Sequence, residues 1–150
     1  MTIFFQTIGS RQDYKKWLLL IDWIINEEKF IEWPQQKVSL LTKQIKQIEE
    51  IKLAGITNAK NGKGFPNRQP RKTKIVISGK HGAKELIKHI RNSIAHGNAE
   101  FKTCNTVKYV LLKDYYTDSR GNHKKGDYSA YIFIPENVLF KIQDIYDTVK

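Results

Sequence analysis

Apolar residues recur at helical spacing through the first 55 residues of the chain. Ser10 and Asp13 form a pair typical of a helix start, and the apolar residues of this first helix continue to Ile31. Pro34 then ends the first helix or begins a second, which closes near Gly55. The apolar stripe of the second helix consists of Val38, Leu41, Ile45 and Ile48. Its three-and-four spacing is that of an amphipathic surface helix, so the pattern predicts two helices packed as a hairpin.

A polar stretch of about residues 55–81 follows, rich in Gly, Asn, Lys, Arg and Pro. Only residues 75–77 are a continuous apolar run, and this composition predicts a mobile basic loop. A third helix is predicted from about Gly82 to Gly97, where glycine is the typical terminating residue. Its one-sided apolar stripe consists of Ala83, Leu86, Ile87, Ile90 and Ile94. The opposite side of this helix is polar.

The pattern changes from helical to extended after the third helix. Residues 107–112 and 128–134 are rich in aromatic and β-branched side chains and are separated by a polar turn, which predicts a β-hairpin. A short strand around Phe101 joins it, and Pro135 opens a last helix. The predicted fold is therefore mainly α, with about four helices and a hairpin inserted before the last. At 150 residues, the chain is predicted to form one domain, residues 1–150.

The net charge of +11 is concentrated in the middle of the chain. Residues 51–100 carry eleven basic side chains against only Glu85 and Glu100. Such a run would attract a polyanion by releasing its counterions, and nucleic acid is the obvious candidate. A solvated basic loop that only aids solubility explains the charge equally well.

Several classes of protein are excluded or disfavoured by the sequence. Cys104 is the only cysteine, so one chain can build neither an internal disulfide nor a cysteine-based zinc site. His89 and His96 are seven residues apart on one helix, roughly 10 Å, so they cannot share a metal ion. No metal or cofactor is expected. The longest apolar run, residues 17–21, is too short to span a membrane, and the start lacks a secretory leader, so we expect a cytoplasmic protein.

The end of the third helix carries the residues that best suit catalysis. Arg91 is followed by Asn92 and, five residues after Arg91, by His96. A guanidinium can hold two phosphate oxygens and stabilise charge on phosphorus, while an imidazole can move a proton near neutral pH. Without further support, a helix-terminal His96 that interacts with the last carbonyls and a solvated Arg91 would be the simpler explanation.

The segment that reads Arg-Asn-x-x-Ala-His-Gly over residues 91–97 resembles the motif of the HEPN ribonucleases: an Arg, a polar residue, and a His near the end of a helix. The resemblance implies a HEPN-like helical bundle and a metal-independent endoribonuclease that acts as a dimer with a shared active cleft. It also implies a role as a toxin or antiviral-defence enzyme, with an antitoxin protein as a further partner. Arg91 and His96 would act on the phosphate, and Asn92 would assist.

Helix geometry favours the same dimer. At about 100° per residue, Arg91 and His96 point about 140° apart, so one helix aims both poorly at one phosphate. A two-fold partner could place the Arg91 of one chain beside the His96 of the other. The predicted contacts to the RNA backbone are Lys84, Lys88, Arg71, Lys72 and Lys74. Two alternatives stay open: a non-catalytic RNA-binding or regulatory module of the same fold, and a structural partner in a defence complex.

Overall fold

A computed structural model describes residues 14–26, 32–59, 64–79, 82–117 and 123–150. Within these ranges the chain forms five helices. They are α1 (Tyr14–Asn26), α2 (Gln35–Lys46), α3 (Glu49–Ala54), α4 (Ala83–Ala95) and α5 (Glu136–Val149). The predicted helix start at Ser10 and Asp13 lies outside the described residues.

The same ranges contain five strands in one mixed sheet. They are β1 (Ile56–Ala59), β2 (Lys74–Ser78), β3 (Ala99–Cys104), β4 (Val107–Thr117) and β5 (His123–Pro135). Their order is β1-β2-β5-β4-β3. The pair β1 and β2 is parallel, and all other neighbours are antiparallel.

The two faces of the sheet belong to different clusters of buried side chains. On the inner face, Ile75, Val110, Leu112 and Ile132 join buried side chains from all five helices in one apolar core. On the outer face a smaller buried cluster is formed by Tyr109, Leu111, Tyr131 and Phe133. Because successive side chains of a regular strand point to opposite faces, this division also assigns a face to the neighbouring residues of each strand up to Asp114 on β4 and from Ala130 on β5.

The prediction of a mainly α bundle of about four helices is wrong. A five-stranded mixed sheet carries the helices on its inner face. Two of its strands, β1 and β2, lie inside the stretch 55–81, for which the composition predicts a loop. Thr57 and Asn58 leave β1 without an apolar run, and the triplet in β2 is flanked by polar residues. That parts of residues 55–81 are mobile stays a prediction.

The hairpin, the strand around Phe101 and the last helix are confirmed, although β4 and β5 are longer than the apolar runs that predicted them. The predicted second helix is divided. Its chain leaves helical geometry at Ile48, whose ψ of 125° is extended, and resumes in α3. Ile48 and Ile51 are both buried by this arrangement.

Residues 64–73, which precede β2, pack on the outer face of the sheet. Parallel neighbours cannot be joined by a tight turn, so the chain must cross over the sheet. Phe65 lies 5.5 Å from Tyr128 between ring centroids, and the Sγ of Cys104 donates a hydrogen bond to the carbonyl of Arg71 at 3.4 Å. The basic segment of residues 64–73 therefore packs on the face opposite the helices.

Candidate active site on helix α4

Helix α4 is held by its apolar side and presents its polar side outward. The predicted stripe is confirmed: Ala83, Leu86, Ile87, Ile90 and Ile94 are all buried. The helix packs against β4 and α2. A stripe of this width positions the helix firmly, so the orientation of its polar residues is determined by the core.

The helix ends in a tight turn that requires glycine. His96 is the C-cap, Gly97 has a φ of 72°, and the N–H groups of Gly97 and Asn98 donate to the carbonyls of Ile94 and Ser93 at 3.1 and 2.8 Å. These two bonds form a Schellman motif, in which the residue after the cap adopts left-handed geometry. The carbonyl of Asn98 then accepts a bond from the N–H of Lys113 on β4 at 3.1 Å. His96 is thereby fixed at a corner between helix and sheet.

Gly97→Ala should lower the free energy of unfolding by about 1 kcal/mol, because a Cβ at this φ meets the backbone. Gly97→Asn, which tolerates left-handed geometry, should lower it by less. Urea denaturation of the three proteins measures the differences. Equal stability of the alanine variant and the parent would contradict the motif as the helix terminator.

A buried polar cluster lies between α4 and β4. Asp114 is 4% exposed on the inner face, and its Oδ2 lies 2.7 Å from Nδ1 of His89, which is 8% exposed. The Nδ2 of Asn92 donates to the same oxygen at 3.3 Å. The hydroxyl of Ser93 donates to the carbonyl of His89 at 2.7 Å, so this side of the helix is hydrogen-bonded at successive turns.

The sequence analysis did not identify Asp114 as a site residue. It considered His89 only as a metal ligand together with His96, and excluded that possibility. A signal was present: Val110, Leu112 and Asp114 alternate along a strand, and the first two face the core. A carboxylate in the next inward position needs hydrogen-bond donors from the opposite layer. The sequence does not show which residues supply these donors, because α4 and β4 come into contact only in the folded structure.

The three predicted catalytic residues all lie on or beside the polar side of α4. Arg91 and Asn92 are half-buried within the helix, and His96 is exposed at its C-cap. The Nε atom of Arg91 is itself buried. By helix geometry Arg91 borders one edge of the polar side and His96 the other, about 140° apart. Asn92 and His96, four residues apart, share the edge that faces β4.

The predicted RNA-binding residues fall into two groups. Lys84 is half-buried and Lys88 exposed on α4, over the inner face of the sheet. Arg71 and Lys72 are exposed in the segment that covers the outer face, and Lys74 points to that face because Ile75 points inward. The sheet separates the two groups, so they cannot form one continuous patch beside the motif.

Three tyrosines form a cluster on the outer face of the hairpin. Tyr128 lies 5.0 Å from Tyr115 and 5.8 Å from Tyr131 between ring centroids. Burial, together with the neighbouring Tyr128 hydroxyl, raises the pKa of Tyr115 to about 12. These rings pack mainly on one another, as cross-strand aromatic pairs do, and so contribute to the stability of the hairpin.

None of the described helices is long and apolar enough to cross a membrane. Among the residues with a described position, no group of three or more His, Cys, Asp or Glu side chains is arranged to hold a metal ion.

Helix α4 carries an Arg, a polar residue and a terminal His in the order that is typical of the HEPN motif. The sequence model of the family described as HEPN pEK499 p136 matches residues 14–148, so the chain belongs to this HEPN family. The match includes all five strands of the described sheet and all the described helices up to residue 148. Membership generally points to ribonuclease or other RNA-related function. No curated protein and no solved structure matches the chain significantly.

Proposed function

We propose that the protein is a metal-independent endoribonuclease that acts as a homodimer, with Arg91 and His96 from different chains meeting at each active site. The observation that carries the proposal is the placement of these two residues at opposite edges of one polar helix side, with His96 exposed. A partner related by a two-fold axis parallel to α4 would bring each edge of this side against the other edge of the partner's helix.

The proposed reaction uses an oxygen that the RNA itself supplies. The 2′-hydroxyl loses its proton and attacks the adjacent phosphorus, and the bond from phosphorus to the 5′-oxygen breaks as that oxygen gains a proton. His96 transfers a proton in this reaction, and Arg91 stabilises the charge that develops on the phosphate oxygens. The products carry a 2′,3′-cyclic phosphate and a 5′-hydroxyl. No metal ion is needed to generate the nucleophile.

The basic residues have two proposed tasks. Lys84 and Lys88 contact the RNA backbone beside the motif, because they lie on the same helix. The group formed by Arg71, Lys72 and Lys74 contacts a different part of the same RNA, because it lies beyond the sheet. A toxin or antiviral-defence role, with an antitoxin protein as partner, is the biological setting that we propose for this activity.

Incubation of the purified protein with total RNA in excess chelator tests the proposal. We expect discrete fragments that carry 2′,3′-cyclic phosphate ends, detected by their resistance to 3′ ligation until the ends are opened and dephosphorylated. The exposed outer-face basic group favours a second candidate, a module that binds RNA without cleaving it. Salt-sensitive RNA binding with no cleavage would support that candidate and contradict the enzyme.

A further inference from the structure

Asp114 joins three hydrogen-bond donors that come from two elements of the fold. Its Oδ2 accepts from Asn92 at 3.3 Å and lies 2.7 Å from Nδ1 of His89, while its Oδ1 accepts the backbone N–H of Tyr115 at 3.1 Å. A carboxylate oxygen accepts hydrogen bonds, so Nδ1 of His89 is the donor in this pair. Two of the donors belong to α4, and the carboxylate belongs to β4.

This contact determines which way the amide of Asn92 faces. Its oxygen would repel the carboxylate, so the Nδ2 group must point inward to Asp114. The carbonyl oxygen, Oδ1, is then the end of the amide directed away from the carboxylate. An amide oxygen can accept a hydrogen bond from an imidazole N–H or a 2′-hydroxyl, but it repels a phosphate oxygen.

We propose that Asp114 is a positioning residue for RNA cleavage: it holds Asn92 so that the amide oxygen faces the proposed active site. There the oxygen accepts a hydrogen bond from His96, one helical turn further on, or from the 2′-hydroxyl of the RNA. The proposal rests on the proposed function and narrows it, because Asn92 then orients a proton donor instead of binding phosphate. It also gives the sheet a part in catalysis, since β4 supplies the carboxylate.

An asparagine at position 114 cannot replace the carboxylate. In one orientation of the new amide its NH2 group faces the N–H of Tyr115, and in the other it faces His89 and Asn92. The first orientation keeps an oxygen toward Asn92, but as a neutral acceptor and with the NH2 group against the N–H of Tyr115. Asp114→Asn, which keeps the shape of the side chain, should therefore loosen the hold on Asn92. We expect kcat to fall on the order of 10- to 100-fold, the effect of a misplaced active-site group, with RNA affinity nearly unchanged.

A double-mutant cycle distinguishes positioning from a general structural effect. If Asp114 acts through Asn92, Asp114→Asn should lower kcat by less than about twofold when Asn92→Ala is already present. Leu112→Ala is the matched structural control, because Leu112 is fully buried on the same strand and face, two residues away. Leu112→Ala should lower Tm at least as much as Asp114→Asn does, and its kcat should stay within about twofold of the parent's kcat.

A spectroscopic readout independent of activity completes the test. In NMR spectra, the side-chain amide protons of Asn92, assigned with the Asn92→Ala variant, should shift in Asp114→Asn and stay in place in Leu112→Ala. The positioning role would be overturned if Asp114→Asn lowered kcat equally in the parent and in Asn92→Ala, or if Asp114→Asn had the kcat of the parent. Neither result would affect the proposed function. No cleavage by the parent, or full cleavage by His96→Ala, would instead overturn the proposed function, and the role of Asp114 in cleavage with it.

Discussion

Replacement of His96 by alanine is expected to lower kcat for RNA cleavage on the order of 10²- to 10⁴-fold, the usual contribution of a proton-transfer residue. The side chain is exposed at the C-cap of α4, so its loss removes no core contact. The free energy of unfolding should change by only about 0.5 kcal/mol, which includes any loss of interaction with the helix dipole. Single-turnover cleavage and urea denaturation measure the two quantities separately.

His123→Ala is a control that removes the same kind of side chain elsewhere. His123 begins β5, seven residues before Ala130, which pairs with Asp114. His123 pairs with Thr117, which lies three residues beyond Asp114 on β4, or about 10 Å along that strand. Its replacement should leave cleavage at the parental rate. Cleavage by His96→Ala at that rate would exclude His96 from the reaction and leave only RNA binding for the motif.

The parts of the fold that the sequence predicted correctly are those with a one-sided local pattern. In α4 five apolar residues share one side and all are buried, and Gly97 ends the helix as predicted. The hairpin followed from the aromatic and β-branched content of β4 and β5. Each of these signals lies within one element, so no knowledge of the tertiary fold was needed.

The sheet as a whole could not be predicted in this way. Strand β1 has four residues, two of them polar and exposed, and becomes a strand only by pairing with β2. Strand β2 in turn depends on pairing with β5, more than 50 residues later. Such pairings set the structure of short segments against their local composition. The basic stretch was therefore assigned to a loop, although two of its parts complete the sheet.

The candidate site was predictable in its residues but not in its surroundings. Arg91, Asn92 and His96 were identified from their spacing and from the family resemblance, and their assignment to catalysis stays a prediction. The carboxylate that holds Asn92 lies 22 residues away in the sequence. No spacing rule connects Asn92 to Asp114, since only the packing of α4 on β4 brings them together.

Mixing two inactive variants, Arg91→Ala and His96→Ala, is expected to restore cleavage. If each site takes Arg91 from one chain and His96 from the other, a mixed dimer has one intact site and one site that lacks both residues. Free exchange of chains makes half of the dimers mixed, so about a quarter of the parental activity should return. Cleavage is measured after the two proteins are unfolded together and refolded at equal concentration, with each variant refolded alone as the baseline.

The double variant, Arg91→Ala with His96→Ala, gives the opposite prediction and serves as the control. In a mixed dimer with the parent, every shared site would lack one of the two residues, so an excess of the double variant should silence the parent. If both residues of a site came from the same chain, the parental chain would keep its own site in the mixed dimer. Restored activity in the first mixture requires shared sites, because no single chain there carries both Arg91 and His96. If activity in the first mixture stays at the baseline and the double variant does not affect the parent, the reaction takes place within one chain. Helix α4 would then have to aim both side chains at one phosphate despite the angle of about 140° between them.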